Sequence, residues 1–426
     1  MPEGEPRIRR IVVGGGIAGL IVARERVLAG DDVVLLEERD RLGGQIARHS
    51  VAGIDLDAGA EAYATRGEDI PALLRTLKLD GDVVLPEPDP AWLYRADGSA
   101  VPLPATSLLG IPGVPLAQDV IDVIGARSAM RAQLDAMLPS LIGAKSATLG
   151  ELVRRRMGAR VLDALVAPVV RGVHSVHPDE LPLDRANPGL RAALLREGNL
   201  AGAVRSLRSR APAGSLVASV RGGMFRMVDA LAADLARFGV EVRLGTRIAR
   251  ADPDAVVTAA GERIEGEVVV AAPLDPESPR TRVTVATIAV DAPFLAEAPR
   301  GTGVLVTEGV PGVAARALTH LTAKWAWLAE ATPLQLIRLS YDAGVEVTGA
   351  LAHRDAQMLL GRTLPTPLDV AIVEWERVGR RQDAEHAIDG MHRVGEAESG
   401  TGLASVVAYA RSVANAIPSG SDDAEG

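Results

Sequence analysis

Three glycines spaced Gly14-x-Gly16-x-x-Gly19 follow the apolar run Ile11-Val12-Val13 and open a stretch with helical spacing from Ile17. In that setting each glycine has a separate task. Gly14 permits a tight turn, Gly16 lets a phosphate approach bare backbone, and Gly19 lets helix and strand pack closely. The free amides of Ile17 and Ala18, at the start of the helix, face the phosphate with the positive end of the helix dipole. A second apolar run, Val33-Val34-Leu35-Leu36, ends at Glu37, 18 residues after Gly19, where a carboxylate can accept bonds from ribose hydroxyls. Strand, turn, helix, strand and acid in this register predict a site for the ADP half of a dinucleotide.

The next residues extend the site. In Glu37-Glu38-Arg39-Asp40-Arg41-Leu42-Gly43-Gly44, Arg41 can neutralise pyrophosphate charge with its fork of donors. Gly43 and Gly44 leave the backbone bare beside a ligand. At the far end of the chain, Gly395-Glu396 and Gly400-Thr401-Gly402-Leu403 precede a last helix, whose N-terminus would favour an anion.

The acid-then-Arg-x-Gly-Gly extension resembles that of the amine oxidase and protoporphyrinogen oxidase superfamily of flavoproteins. Further segments, in order, resemble its bacterial protoporphyrinogen and coproporphyrinogen oxidases. They are Asp57-Ala58-Gly59-Ala60-Glu61-Ala62-Tyr63-Ala64-Thr65-Arg66, Pro102-Leu103-Pro104, Leu109-Gly110-Ile111-Pro112, Leu152-Val153-Arg154-Arg155-Arg156-Met157-Gly158, Pro168-Val169-Val170-Arg171-Gly172-Val173, Arg221-Gly222-Gly223-Met224, Ala323-Lys324-Trp325 and Gly400-Thr401-Gly402-Leu403. The Lys-Trp and Gly-Thr-Gly-Leu variants are similar to the actinobacterial branch associated with the coproporphyrin route.

The resemblance implies non-covalent FAD held by Gly14, Gly16, Ile17, Ala18, Gly19, Glu37, Glu38, Arg41, Gly43 and Gly44. It adds Ile248, Ala272, Lys324, Trp325, Glu396, Gly400, Thr401, Gly402 and Leu403 to the cofactor site. It also implies stepwise oxidation of a porphyrinogen, coproporphyrinogen III to coproporphyrin III, with O2 as acceptor giving H2O2, in haem biosynthesis. Substrate propionates would be bound by Arg66 first, then Arg171 and Lys145. Peripheral membrane contact through Leu108–Pro115 and a haem-pathway enzyme partner are further implications. Glu398 stands where the family often has an aromatic residue, and His174 where tyrosine is common.

These residues must be positioned by an α/β fold, a Rossmann-like FAD-binding domain with a strand-rich substrate domain and a helical insertion. The pattern predicts FAD-binding parts at 1–66, 213–276 and 386–418, substrate-domain parts at 67–112 and 277–385, and a helical insertion at 113–212. A disordered tail is expected at 419–426. Asp97-Gly98 predicts a hairpin over 91–103, and Pro139, Pro168, Pro178 and Pro182 are expected to break the helical region. Helices are expected over 350–362 and 366–377, Trp325 and Trp327 in a strand, and Arg154-Arg155-Arg156 on a solvated helix face.

Composition narrows the classes. Hydrophobic residues make up 47% and charged residues 24%, as in ordinary globular proteins. A net charge of −9 argues against a nucleic-acid partner. Absence of cysteine excludes disulfides, thiolate-held metal and cysteinyl flavin, and His174 with His177 lacks the third ligand of a metal set. Without a signal peptide or an apolar run of spanning length, a cytoplasmic location is the expectation. Two alternatives stay open: a flavin amine oxidase or desaturase-type enzyme, and a non-catalytic FAD or tetrapyrrole binder.

Overall fold

The computed structural model describes residues 8–65, 67–174, 176–209, 217–274, 280–378, 390–400 and 402–418. A five-stranded parallel sheet carries the nucleotide motif, in the order Glu241–Arg243, Asp32–Leu36, Arg9–Val13, Glu267–Val270, His392–Arg393. Its strands come from the start, middle and end of the chain. Ile11, Val12, Val13, Leu35, Val269 and Val270 are 0–3% exposed, the two-sided burial that a parallel sheet imposes on its strands. The first helix, Ile17–Leu28, packs on this sheet beside the Phe225–Arg237 helix and the last helix, Leu403–Ala416.

Arg10 and Arg26 converge on buried Asp31 at 3.0 and 2.7 Å. The same two arginines donate to the carbonyl oxygens of Ala414, Ile417 and Pro418. A buried ion cluster therefore ties the end of the last helix to the first strand.

A seven-stranded sheet forms the second body. Its order is Asp369–Val378, Arg280–Val290, Gln335–Tyr341, Ala315–His320, Gly303–Val306, Trp92–Tyr94, Ala100–Pro102. The hairpin expected at Asp97-Gly98 is its edge, with Gly98 at φ 78°. The predicted 366–377 helix is instead the strand Asp369–Val378, paired with Arg280–Val290 along its whole length. Exposed Glu374 and Glu376 alternate with half-buried Val373, Trp375 and Arg377, a period of two that the β-branched residues reinforce. Conversely, Trp325 is the single extended residue between two short helices, Leu321–Lys324 and Ala326–Ala331, and Trp327 lies on the second of them, rather than both in a strand.

The helical body spans most of 118–209. Pro168 does not break it: the segment Ala159–His174 runs through Pro168, preceded by a π turn at Leu162–Val166. A wider turn makes room for the ring and for the missing N–H. Arg156, expected at the surface, is fully buried. It pairs with Asp135 and donates to the carbonyl oxygens of Asp135, Leu138, Pro139, Ile142 and Gly198. Only Arg154 and Arg155 keep the solvated, ion-paired role, with Asp179 and Glu151.

Candidate flavin and substrate site

The glycine turn bridges the first strand and first helix under tight steric limits. Gly14, at φ 109°, lies where an added Cβ would stand 2.9 Å from the Ala271 carbonyl carbon and the Ala272 side chain. At Gly19 a Cβ would run into the carbonyl oxygen of Gly14. At Gly16 it would meet nothing within 4 Å. Two of the glycines are thus fixed by protein packing, and the middle one faces open space. No side chain caps the first helix at Gly16, so the helix start, with Ile17 and Ala18, presents free donor character to that space.

Gly43 and Gly44, at φ 100° and 58°, close the other wall. The Gly43 amide donates to the Gly15 carbonyl at 2.8 Å, and an added Cβ on Gly44 would stand 3.3 Å from the Gly16 Cα. Arg41, an exposed residue, reaches back to the Gly44 carbonyl at 3.1 Å, and partial desolvation, with the charge of Arg39, holds its guanidinium below the usual arginine range. Glu37, at the end of the second strand, accepts from the Gly15 amide at 2.6 Å and the Arg39 amide at 2.9 Å. A carboxylate has about four lone-pair sites, so capacity for further donors remains.

Glu38 is exposed and pairs at 3.4 Å with Arg247. The Thr246 amide donates to the Glu37 carbonyl at 2.8 Å, which brings half-buried Ile248 alongside the same strand end.

From this cradle a chain of contacts leads to the joint between the two sheets. Gln45, next to Gly44, donates to Glu396 at 2.8 Å. Its carbonyl oxygen also lies where a Cβ on Gly59 would fall. Two residues on, Glu61 binds both Lys324 and Arg338, the latter at 3.2 Å. Those two cations hold the Glu61 carboxyl below the usual range despite burial. Lys324 Nζ also lies 5.1 Å from the Trp325 ring centre. Trp325 itself is 2% exposed, in a core cluster with Leu321, Leu328 and Leu336.

Gly395, Gly400 and Gly402 all have positive φ, and the last helix starts at Leu403 with no side-chain cap.

Of the expected substrate cations, Arg171 and Lys145 are among the described residues. Arg171 is engaged by Glu308 at 3.0 Å and by Asp342. It bolts the helical body to the seven-stranded sheet, as does Arg377, which donates to the His174 carbonyl at 2.9 Å. Lys145 is exposed in a turn before the Leu149–Arg156 helix. Arg66 and Thr401 lie outside the described residues, as does the 419–426 tail. Leu108 and Ile111, expected to meet lipid, are core residues at 9% and 0% exposure. Exposed apolar residues of this region include Val114, Leu116, Met130, Leu134, Met137, Leu141 and Ile142.

Arg338 and Gln45 escaped the sequence reading. A charge inside the apolar run Leu336-Ile337-Arg338-Leu339 was the available signal for Arg338; Gln45 offered none. Among the described residues no group of three His, Asp or Glu is placed to hold a metal, and no helix is long and apolar enough to cross a membrane.

Similarity to known proteins agrees with this geometry. The coproporphyrinogen III oxidase of Mycobacterium leprae is 30% identical over 85% of this chain and 86% of its own length. The coproporphyrinogen III oxidase of Propionibacterium freudenreichii is 25% identical over 62% of this chain, and the match spans 56% of that relative. A crystal structure from Exiguobacterium sp. 255-15, provisionally named a protoporphyrinogen oxidase, superposes with a TM-score of 0.79 at 23% identity. It covers 97% of this chain and 99% of its own. The model of flavin containing amine oxidoreductases matches residues 17–304. With the glycine cradle, the uncapped helix start and these relatives in agreement, the chain belongs to the flavin-containing amine oxidoreductase family, on the side of its porphyrinogen oxidases.

Proposed function

We propose that this chain binds FAD non-covalently and oxidises a porphyrinogen, coproporphyrinogen III in preference, with dioxygen as acceptor and hydrogen peroxide as product. The observation that carries the cofactor is the bare face of Gly16. A backbone pinched by packing on either side, yet open at that one position beside uncapped amides, is shaped for a phosphate. Arg41 would take the pyrophosphate charge, Glu37 the ribose hydroxyls, and the start of the last helix at Gly402 and Leu403 the electron-rich end of the flavin. The substrate class is supported by the curated relatives.

A bound flavin supplies the hydride acceptor and the link to dioxygen. The chain's own contribution is positioning. Lys324 and Arg338 fix Glu61 where the nucleotide body meets the seven-stranded sheet, and Gln45 fixes Glu396 beside the last turn. Holding a meso carbon within about 3–3.5 Å of its acceptor needs this rigidity more than it needs an acid–base pair.

Anaerobic mixing of FAD-loaded protein with coproporphyrinogen III, followed at about 450 nm, tests the reading. Rapid bleaching reversed by air is expected; an unbleached flavin overturns the substrate assignment while leaving the cofactor site standing. Peripheral lipid contact belongs to the same reading, through Met130, Leu134, Met137 and Leu141. Failure to co-float with liposomes would remove it.

A further inference from the structure

The helical body meets its neighbours with two arginines in contrasting states. Arg171 faces the seven-stranded sheet and is neutralised there by Glu308 and Asp342. Arg185 lies on the Leu183–Ala186 turn of helix and faces the glycine turn before the last helix. A Cβ added to Gly400 would stand 3.7 Å from its Cδ and 3.8 Å from its Cγ and Nε. Its segment is firmly held. Leu183 and Ala186 are buried, the Leu183 amide donates to the Ala147 carbonyl at 2.9 Å, and Pro182 bridges Thr148.

Yet the side chain of Arg185, a half-buried residue, forms no ion pair or hydrogen bond with the described residues, and its guanidinium stays open to an incoming ligand. The adjacent carboxylate, Asp184, is taken by Arg191 at 3.2 Å, and Glu396 in the same turn region is taken by Gln45. An unpartnered guanidinium on a firmly held segment, beside the glycine turn, is available to receive a planar oxyanion.

We infer that Arg185 binds a carboxylate of the substrate, giving the site its preference for a carboxylate-bearing macrocycle. The inference rests on the porphyrinogen reading above. The substrate is favoured over the dinucleotide as the source of the anion, because pyrophosphate charge is already met by Arg41 and the first-helix amides.

The test is binding, independent of turnover. FAD-loaded protein is titrated with coproporphyrin III and, in the same detergent, with its tetramethyl ester, following porphyrin fluorescence. The wild-type chain should hold the acid more tightly than the ester. Arg185→Met should weaken the acid about tenfold or more, leave the ester unchanged and retain the flavin absorbance; Arg185→Lys should recover part of the loss. Unchanged acid affinity in Arg185→Met overturns the inference alone. Loss of flavin in Arg185→Met and in Arg185→Lys assigns the arginine to the dinucleotide and also overturns it. If the wild-type chain binds neither porphyrin, the porphyrin reading falls and this inference with it.

Discussion

The nucleotide cradle and the helical body solve the same problem, holding a surface still, with different materials. In the cradle the fixed parts are backbone: Gly14 against Ala271, Gly19 against Gly14, Gly43 against Gly15. In the helical body they are long side chains. Arg156 ties five carbonyl oxygens around Asp135, and Arg171 and Arg377 reach across to the neighbouring sheet. A backbone cradle tolerates no added atoms but needs no partner charge. An arginine hub tolerates changes around it but fails when the arginine is removed, because the groups it bonds are left buried and unpaired.

The largest effect should come from breaking the hub. Arg156→Met leaves Asp135 uncompensated and is expected to destabilise the helical body by about 3–5 kcal/mol. Denaturant unfolding should show the loss, while flavin content measured below the transition stays near wild type because the cradle is a separate structure. Loss of flavin from the still-folded variant would show that the two regions are not independent.

Within the cradle, Gly19→Ala and Gly16→Ala separate packing from binding. Gly19→Ala forces a Cβ onto the Gly14 carbonyl and should cost about 1–3 kcal/mol of stability even without flavin. Gly16→Ala meets no protein atom within 4 Å. It should leave the flavin-free melting temperature unchanged while sharply reducing flavin retention. Equal destabilisation by both would contradict the division of labour among the three glycines.

At the joint, Glu61→Gln removes the carboxylate shared by Lys324 and Arg338, with an expected loss of about 1–3 kcal/mol. Unfolding with flavin bound and absent would show whether that loss reaches the cofactor.

The smallest effect is a pH dependence on the strand pair beside the joint. Burial, then the charge of Arg338, pushes His49 down to about 4. Between about pH 4 and 6.5 the unfolded chain therefore binds the extra proton, and stability rises with pH. Asp57 is pushed by burial up to about 6, although it accepts from the Met224 and Phe225 amides. Over about pH 4–6 the folded chain holds that proton, so the Asp57 contribution falls with pH. The two offset each other. His49→Gln should uncover the falling slope, an effect of about 1 kcal/mol after allowance for solvent; a melting profile that still rises through this window would reject the assignment.

Legibility followed the same division. The strand, glycine turn, first helix and Glu37 were readable because each depends on neighbours a few residues away, where spacing and φ requirements are visible. The last helix and the 91–103 hairpin were readable for the same reason. The 369–378 strand was misread because its partner, Arg280–Val290, lies some 90 residues distant, and Val, Ile, Glu and Trp in a row satisfy either period loosely. Arg156 was misread because three consecutive arginines look alike in a sequence, and only the packing of the 135–142 segment over the helix buries one of them.

The sequence by itself determined the chemistry of the cradle, since a glycine's freedom and a helix's dipole are local properties that travel with the residues. Only the tertiary structure decided which cations are already spent. Arg171, Arg338, Lys324 and Arg156 find carboxylates or carbonyls tens to hundreds of positions away, while Arg185 finds none among the described residues. Charge is written in the sequence, but whether a charge is satisfied depends on distances over a few ångströms, and those distances exist only once the chain has folded.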